Sequence, residues 1–96
     1  MGTPAVRIGD ILDGHDCYGT HFPVTGSPNV IINGIPSVRI NDLISAHCCG
    51  PPCHSSSQAT GSPTVFVNGR NKVRIGDFSE CGSVNAVGSP NVLVGP

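Results

Sequence analysis

The pentapeptide Val6-Arg7-Ile8-Gly9-Asp10 returns along this chain of 96 residues as VRIND at residues 38–42 and as VRIGD at residues 73–77. A second phrase alternates with it and always begins Gly-Ser-Pro: it reads GSPNVIING from Gly26, GSPTVFVNG from Gly61 and GSPNVLVG from Gly88. Self-similarity of this kind is the signature of a repeat architecture, in which each copy is one supersecondary unit. The sequence therefore predicts three copies of one small unit.

Each copy has the pattern of a β-hairpin. Short β-branched runs bounded by Gly-Ser-Pro and Asn-Gly are typical of strands ended by turns, and Asn-Gly favours the two-residue hairpin turn. The two central copies predict hairpins that pair Val30–Ile32 with Val38–Ile40 and Val65–Val67 with Val73–Ile75.

The third copy is divided between the two ends of the chain. Val6–Ile8 has no preceding partner and Asn91–Val94 has no following one, so we expect the ends to pair and complete a third hairpin. The predicted fold class is all-β: one small domain over residues 1–96, with pseudo-threefold symmetry about an axis lined by Val and Ile. An ordinary meander sheet is the alternative.

The composition indicates a thin core and a need for cross-linking. The chain has three Phe, one Tyr and no Trp, and small scaffolds of this kind usually depend on a disulfide, a metal or oligomerisation. A net charge of −1 with five Lys and Arg excludes a nucleic-acid binder. No secretory signal or membrane-spanning run is present, so we expect synthesis in the cytoplasm, where thiols stay reduced and the five Cys and four His are better interpreted as metal ligands.

Every His and Cys falls in three segments that each follow a pentapeptide: residues 11–25, 43–60 and 78–87. Segments of this length without secondary structure are usually functional or disordered. Cys17, Cys48, Cys49 and Cys53 do not follow the repeat, and we interpret them as packing or loop-bracing residues. A cysteine-rich site, or a disulfide formed in an oxidising exterior, is the alternative for them.

The remaining His and Cys residues follow the phase of the repeat. His15 and His47 each come five residues after the Asp of their pentapeptide, and Cys81 comes four residues after it. Equivalent positions in three repeats converge on the axis, and His54 can supply a fourth ligand from the same segment as His47. Three imidazoles and one thiolate suit one tetrahedral zinc ion, and four protein ligands make a structural rather than a catalytic site. His21 is the alternative to His15, because spacing does not rank two histidines in one segment.

An arginine also repeats in phase, at positions 7, 39 and 74, three residues before each pentapeptide Asp. An anion-binding ring is one interpretation. We favour exposed ion pairs that brace each hairpin, each contributing about 0 to 1 kcal/mol.

These phrases resemble those of PAAR-repeat proteins. GSPxVxxNG and VRIGD, with Gly14-His15 early, the HCC and CH pairs in the middle and Cys81-Gly82 late, cover nearly the whole chain. The resemblance implies a small cone with a zinc near its apex, bound here by His15, His47, His54 and Cys81. The chain departs from the family between Gly14-His15 and Phe22-Pro23, where an insertion leaves His21 as a rival ligand.

The resemblance also implies a function. Proteins of this family cap the trimeric β-helical spike of contractile injection machines, in type VI secretion systems and contractile phage tails. We expect a structural spike-tip protein, not an enzyme, that sharpens the spike and helps to pierce the target envelope. The expected partners are one spike trimer per monomer, VgrG-like or a phage central spike, with secreted effectors and transient contact with the target membrane. The chain would be assembled at the tip of the machine, then secreted or delivered into the envelope, or be part of a virion tail. A small zinc-dependent hydrolase with Glu80, the only Glu, as base is the alternative.

Overall fold

Short β-strands, paired in twos, make up the regular structure of the chain. The computed structural model describes residues 2–15 and 17–95. The strands within those ranges are β1 (Thr3–Pro4), β2 (Ile31–Ile32), β3 (Ile35–Pro36), β4 (Leu43–Cys48), β5 (Cys53–Ser57), β6 (Phe66–Val67), β7 (Arg70–Asn71) and β8 (Leu93–Val94). They form four antiparallel pairs, β1–β8, β2–β3, β4–β5 and β6–β7. The described residues contain no helix, and so none that could cross a membrane, and the all-β prediction is confirmed.

The Asn-Gly turns position two of the hairpins. In β2–β3, Asn33 and Gly34 both have positive φ, at 54° and 78°, and the turn of β6–β7 has the same form. A turn with two positive φ values pairs the residues on either side of it directly, so the second strand begins immediately after Gly. The predicted second strands, Val38–Ile40 and Val73–Ile75, are therefore wrong, because the residues taken as a spacer are β3 and β7.

The third hairpin forms between the two ends of the chain, as the repeat predicts. Thr3 pairs with Val94 and Pro4 with Leu93, and the Ala5 N–H donates to the Val92 carbonyl at 3.0 Å. The N-terminal strand, β1, lies earlier than the predicted Val6–Ile8. It occupies the positions that correspond to β3 and β7 in the central copies.

The three pentapeptides lie outside the strands β1 to β8, but their backbones hydrogen-bond to one another around the pseudo-threefold axis. The N–H of Val6 donates to the Val73 carbonyl at 3.2 Å, that of Val38 to Val6 at 3.1 Å and that of Val73 to Val38 at 3.2 Å. These three bonds close a ring, here called the valine ring. All three valine side chains are fully buried, and Ile8 and Ile40 pack against them. The threefold arrangement about an apolar axis is thus confirmed.

Each Gly-Ser-Pro phrase packs against the residue that directly follows the second strand of its own hairpin, Ser37 after β3 and Lys72 after β7, and in the third copy against Ala5 after β1. A Cβ at Gly61 would lie 2.8 Å from the Lys72 carbonyl oxygen, and the same distance applies at the equivalent glycines. Ser62 is buried, its N–H donates to the Lys72 carbonyl at 2.8 Å, and its hydroxyl accepts from the N–H of Val65 at 3.0 Å. The close approach explains why the phrase repeats with glycine and serine.

Lys72 interrupts the apolar axis. Its position corresponds to Ala5 and Ser37 in the other copies, and only 2% of it is exposed. Its Nζ donates to the carbonyls of Val6 at 2.6 Å and Val38 at 3.0 Å, both in the valine ring. Burial lowers the pKa of Lys72 to about 7, against the attraction of the three pentapeptide aspartates. The sequence did not predict this buried cation.

The arginine–aspartate pairs form in all three copies, but they are not exposed. The shortest joins Arg39 Nη2 to Asp42 Oδ1 at 2.8 Å, and both residues are buried. The Asp42 carboxylate also accepts from the Arg39 backbone N–H at 2.7 Å, so it closes the turn as well as pairing the charge. Burial acts to raise the pKa of Asp42, but the Arg39 hydrogen bonds and the Thr25 hydroxyl outweigh it and hold that pKa below its usual value. The expectation of exposed pairs is wrong because each carboxylate turns inward to bind its own backbone.

Candidate metal centre

The longest hairpin of the domain lies in the segment predicted to be a loop, residues 43–60. In β4–β5, His47 lies opposite His54 and Cys48 lies opposite Cys53, with an irregular register between Ile44 and His47. Directly opposed residues of an antiparallel pair project to the same face of the sheet. This register therefore places the two imidazoles side by side. The run Ser55–Ser57 has no β-branched residue and no apolar alternation, so its pattern does not predict a strand.

Four side chains from all three segments converge beside this hairpin. His54 Nε2 lies 2.7 Å from His47 Nε2 and 3.2 Å from His15 Nε2. With Cys81 Sγ, these atoms all lie within 4.8 Å of one another, a group that could hold a metal ion. The structure thus brings His54 together with the three residues that follow the phase of the repeat, His15, His47 and Cys81.

The donor set fits a cation. A neutral ring nitrogen carries either one hydrogen or one lone pair, so His54 Nε2 cannot serve both neighbouring imidazoles at once, whereas one cation between them can. Nitrogen ligands around a tetrahedral zinc ion lie about 3.3 Å apart, since each Zn–N bond is about 2.0 to 2.1 Å. The separation of 3.2 Å between His15 and His54 is close to that value, whereas the 2.7 Å between His47 and His54 is shorter.

A backbone carbonyl orients one of the imidazoles. His47 Nδ1 lies 2.6 Å from the Gly19 carbonyl oxygen, and a carbonyl can only accept, so Nδ1 carries the hydrogen. The Nε2 lone pair then points into the cluster. A metal-ligating histidine is commonly held in this way, with its second nitrogen donating to a carbonyl or carboxylate.

His21 lies behind the cluster rather than in it. Its ring stacks on that of His47, with centroids 3.7 Å apart and planes 5° apart, and its Nδ1 lies 3.3 Å from the Ser45 carbonyl. It is 2% exposed, and its Nε2 has no hydrogen-bond partner among the described residues. Burial, together with the nearby His47, lowers the pKa of His21, which keeps the ring neutral at pH 7. The sequence could not separate this packing histidine from His15, because both lie in one segment.

Serine hydroxyls surround the Cys81 sulfur. Cys81 Sγ lies 3.1 Å from Ser79 Oγ and 3.7 Å from Ser83 Oγ, and the Cys81 N–H donates to Ser56 Oγ at 3.1 Å. Burial alone would raise the pKa of the thiol, but hydrogen bonds from these serines outweigh it and lower the pKa to about 5. The sulfur is therefore a thiolate at neutral pH, which is the form that binds metals. The alternation Ser79-x-Cys81-x-Ser83 is the signal that could have revealed this shell.

The four remaining cysteines pair with one another. Cys17 is joined to Cys49, with their Cα atoms 5.1 Å apart, and Cys48 is joined to Cys53, with Cα atoms 4.0 Å apart. Cys81 is the free cysteine. The interpretation as packing residues is wrong, because all but Cys49 are exposed. The structure shows disulfides, which were the alternative interpretation, and these disulfides brace the loops.

An open groove of about 440 Å³ runs beside the cluster. His54 and Cys81 lie at its wall, together with Glu80 and the run Ser55–Ser57. Glu80 is exposed, and its backbone N–H donates to the Ser57 carbonyl at 2.8 Å. The groove brings the residue considered as a catalytic base next to two of the four donors.

Comparison with known proteins agrees with the geometry. The model of the PAAR motif family matches residues 13–87, and no curated protein matches the chain. The matched range contains all four residues of the cluster and two of the three pentapeptides. Proteins of this family are structural components associated with the spike tips of type VI secretion systems and phage tails. Since the match covers well over half of its residues, the chain belongs to the PAAR motif family.

Proposed function

We propose that this chain is a zinc-bound spike tip: a single domain over residues 1–96 that caps the trimeric β-helical spike of a contractile injection machine and helps it to pierce the target envelope. The observation that carries the proposal is the valine ring, which arranges three similar hairpins of one chain around a single axis. A partner with true threefold symmetry is matched by such a monomer, and an asymmetric partner is not.

The hairpins offer the surface for the spike. A homotrimeric β-helix ends in three equivalent strand edges, and exposed edges invite further pairing. Three large apolar side chains are more than half exposed at equivalent positions of the hairpins: Ile31, Phe66 and Leu93. Their threefold placement suits one monomer per trimer. The segments that carry the metal donors would then face the target, with secreted effectors as further partners.

A zinc ion would be bound by His15, His47, His54 and Cys81. Imidazole and thiolate together favour zinc over magnesium or calcium, which take oxygen ligands. Structural zinc contributes on the order of 10 kcal/mol in small domains. Each of the three segments supplies at least one donor, so the ion would cross-link the tip where load is applied. This chain's own part is to hold the donors, through the Gly19 carbonyl and the serines around the sulfur.

A small zinc-dependent hydrolase is the second candidate, because Glu80 shares a groove with His54 and Cys81. A catalytic zinc keeps one coordination position open for water. Here four protein donors converge, which favours a closed site. Hydrolase assays on the zinc-loaded protein should give no turnover, and turnover that Glu80→Gln abolishes would establish the alternative.

Metal content tests the site. Protein purified without chelator should contain about one zinc per chain, and His47→Ala combined with Cys81→Ser should remove it. His21→Ala is the control and should retain zinc, since this ring lies outside the cluster. Near-zero zinc in the unaltered protein, or zinc lost with His21→Ala and kept with His15→Ala, would contradict the assignment.

Stoichiometry tests the capping. Mixed with a spike trimer, the chain should give a complex of one monomer per trimer in native mass spectrometry. Phe66→Asp should weaken that complex, whereas Phe78→Asp should not, because Phe78 is similarly exposed, at 50% against 55%, but lies in a segment that carries metal donors. Three monomers per trimer, or equal effects of the two variants, would refute the capping model.

A further inference from the structure

The two disulfides join the same segments that carry the metal donors. Cys48 and Cys53 directly follow and precede His47 and His54, so their bond closes the β4–β5 hairpin beside both imidazoles. The bond from Cys17 to Cys49 ties the first segment, which carries His15, to this hairpin. Both cross-links therefore act on the same loops that a metal ion would hold.

The third segment is left outside this covalent network. Its cysteine, Cys81, is free, and its sulfur faces the imidazoles and the serines instead of another cysteine. Metal and disulfides thus divide the five cysteines of the chain without competing for any of them. The four paired cysteines can change oxidation state while the metal donors stay intact.

The paired cysteines are also within reach of solution. Cys17, Cys48 and Cys53 are exposed and Cys49 is half-buried. Disulfides that are exposed to solvent exchange readily with small thiols and disulfides, and cytosolic thiols are kept reduced. The oxidation state of these four residues therefore follows the compartment in which the chain lies.

We propose that Cys17, Cys49, Cys48 and Cys53 are an oxidation site that locks the tip after it leaves the cytoplasm. In the reduced chain no covalent bond joins the three segments, and only hydrogen bonds, packing and the metal hold them together. In an oxidising exterior, a thiolate of each pair attacks a small disulfide such as oxidised glutathione and releases one glutathione thiol. Its partner thiolate then attacks the mixed disulfide and releases the second, so that one oxidant disulfide becomes two thiols for each bond formed. The change of compartment rests on the proposed function, but the oxidation chemistry does not.

Locking has a measurable effect on the metal. In the oxidised chain the segment of His15 and the hairpin of His47 and His54 stay together when the ion is briefly released, so recapture is fast. In the reduced chain only hydrogen bonds and packing keep the three segments together once the ion is released, so the donors separate more easily. Release of zinc to excess chelator should therefore be at least about tenfold slower from the oxidised protein. A tenfold slower release corresponds to an activation barrier higher by about 1.36 kcal/mol.

Thiol counting tests the oxidation site directly. The metal-free protein is reduced or treated with oxidised glutathione while folded, and then unfolded in denaturant. It should show five reactive thiols after reduction and at most one, that of Cys81, after oxidation, since Cys81 can also retain one glutathione. Peptide mapping should find Cys17 bonded to Cys49 and Cys48 bonded to Cys53. Five thiols after oxidation, or a disulfide that joins Cys81 to another cysteine of the chain, would overturn the proposal. Neither readout needs a spike or a metal, so failure of the capping model leaves this result standing.

A matched variant separates the two bonds. Cys17→Ser combined with Cys49→Ser keeps the hairpin disulfide and removes the bond between segments. Under oxidising conditions this variant should release zinc as fast as the reduced unaltered protein does. Equal release rates from oxidised and reduced unaltered protein would refute the locking role. If the variant does not fold, this comparison within the unaltered protein still decides the question.

Discussion

The burial of Lys72 predicts that the stability of the domain depends on pH. Its ammonium lies in the valine ring, and burial lowers its pKa from the ordinary 10.5 to about 7. Because the folded pKa lies below the unfolded one, the unfolded chain binds more protons between these values. The free energy of unfolding should therefore rise as the pH increases from 7 towards 10.5, and Lys72 should add no further slope well below pH 7.

The size of the effect follows from the shift. One pKa unit corresponds to about 1.36 kcal/mol, and integrating the two titrations from pH 7 to pH 9 gives a gain of about 2 kcal/mol. For a domain of this size such a gain raises the melting temperature by roughly 10 °C. Lys72→Met should remove this gain. The variant should still fold, because the methionine stem fills the same space and each ring carbonyl keeps its backbone hydrogen bond.

Denaturant titration of the protein and of Lys72→Met at pH 7, 8 and 9 measures the prediction, with both proteins oxidised and loaded with zinc. The difference between their free energies of unfolding cancels the other titrating groups and should change by about 2 kcal/mol. Lys72 is the only lysine of the chain, so NMR of protein labelled at lysine reads its pKa without further assignment. A pKa near 10, or a difference that stays constant with pH, would refute the reasoning.

Three further predictions concern packing and the metal. Gly61→Ala should destabilise the domain by about 2 kcal/mol, since its Cβ would meet a backbone oxygen at 2.8 Å, whereas Gly19→Ala has open space and should have little effect in the same denaturation assay. Thr60→Val should cost about 1 kcal/mol, because the hydroxyl makes two hydrogen bonds, but it should fold, as Val87 holds the equivalent position in the third copy. Dialysis at decreasing pH should release zinc by about pH 5, since the histidines must be neutral and Cys81 ionised to bind it, and zinc retained at pH 3 would contradict this.

The repeat carries most of the information about the fold. The phase of the pentapeptide and of Gly-Ser-Pro predicts three hairpins, the union of the chain ends and the apolar axis, because these features are common to all copies. Features of one copy are not accessible in this way. Lys72 stands where the other copies have Ala5 and Ser37, so the repeat gives no sign that a cation is buried there. Only the folded structure shows that the Lys72 ammonium is bound by the Val6 and Val38 carbonyls of the valine ring.

The same distinction applies to the metal cluster. His47 and Cys81 could be selected from spacing, because equivalent positions of a threefold repeat meet at one end of the axis, but spacing left His15 and His21 unranked. The residues that support them are local. His21 stacks on His47 through a fold of the first segment that no periodicity specifies. The pairing of Cys48 with Cys53 depends on the β4–β5 register, which the serine-rich sequence does not predict.

The valine ring can close only when all three copies of the repeat are present. Each of its three bonds joins a different pair of copies, and the third hairpin joins Thr3–Pro4 to Leu93–Val94. A polypeptide growing on the ribosome cannot close the ring until the third pentapeptide has emerged, nor complete the last hairpin until β8 has emerged. At about 5 to 20 residues per second, synthesis takes roughly 5 to 20 seconds. For that time the nascent protein is an open polymer with free thiols and exposed valines, until its first and last strands meet.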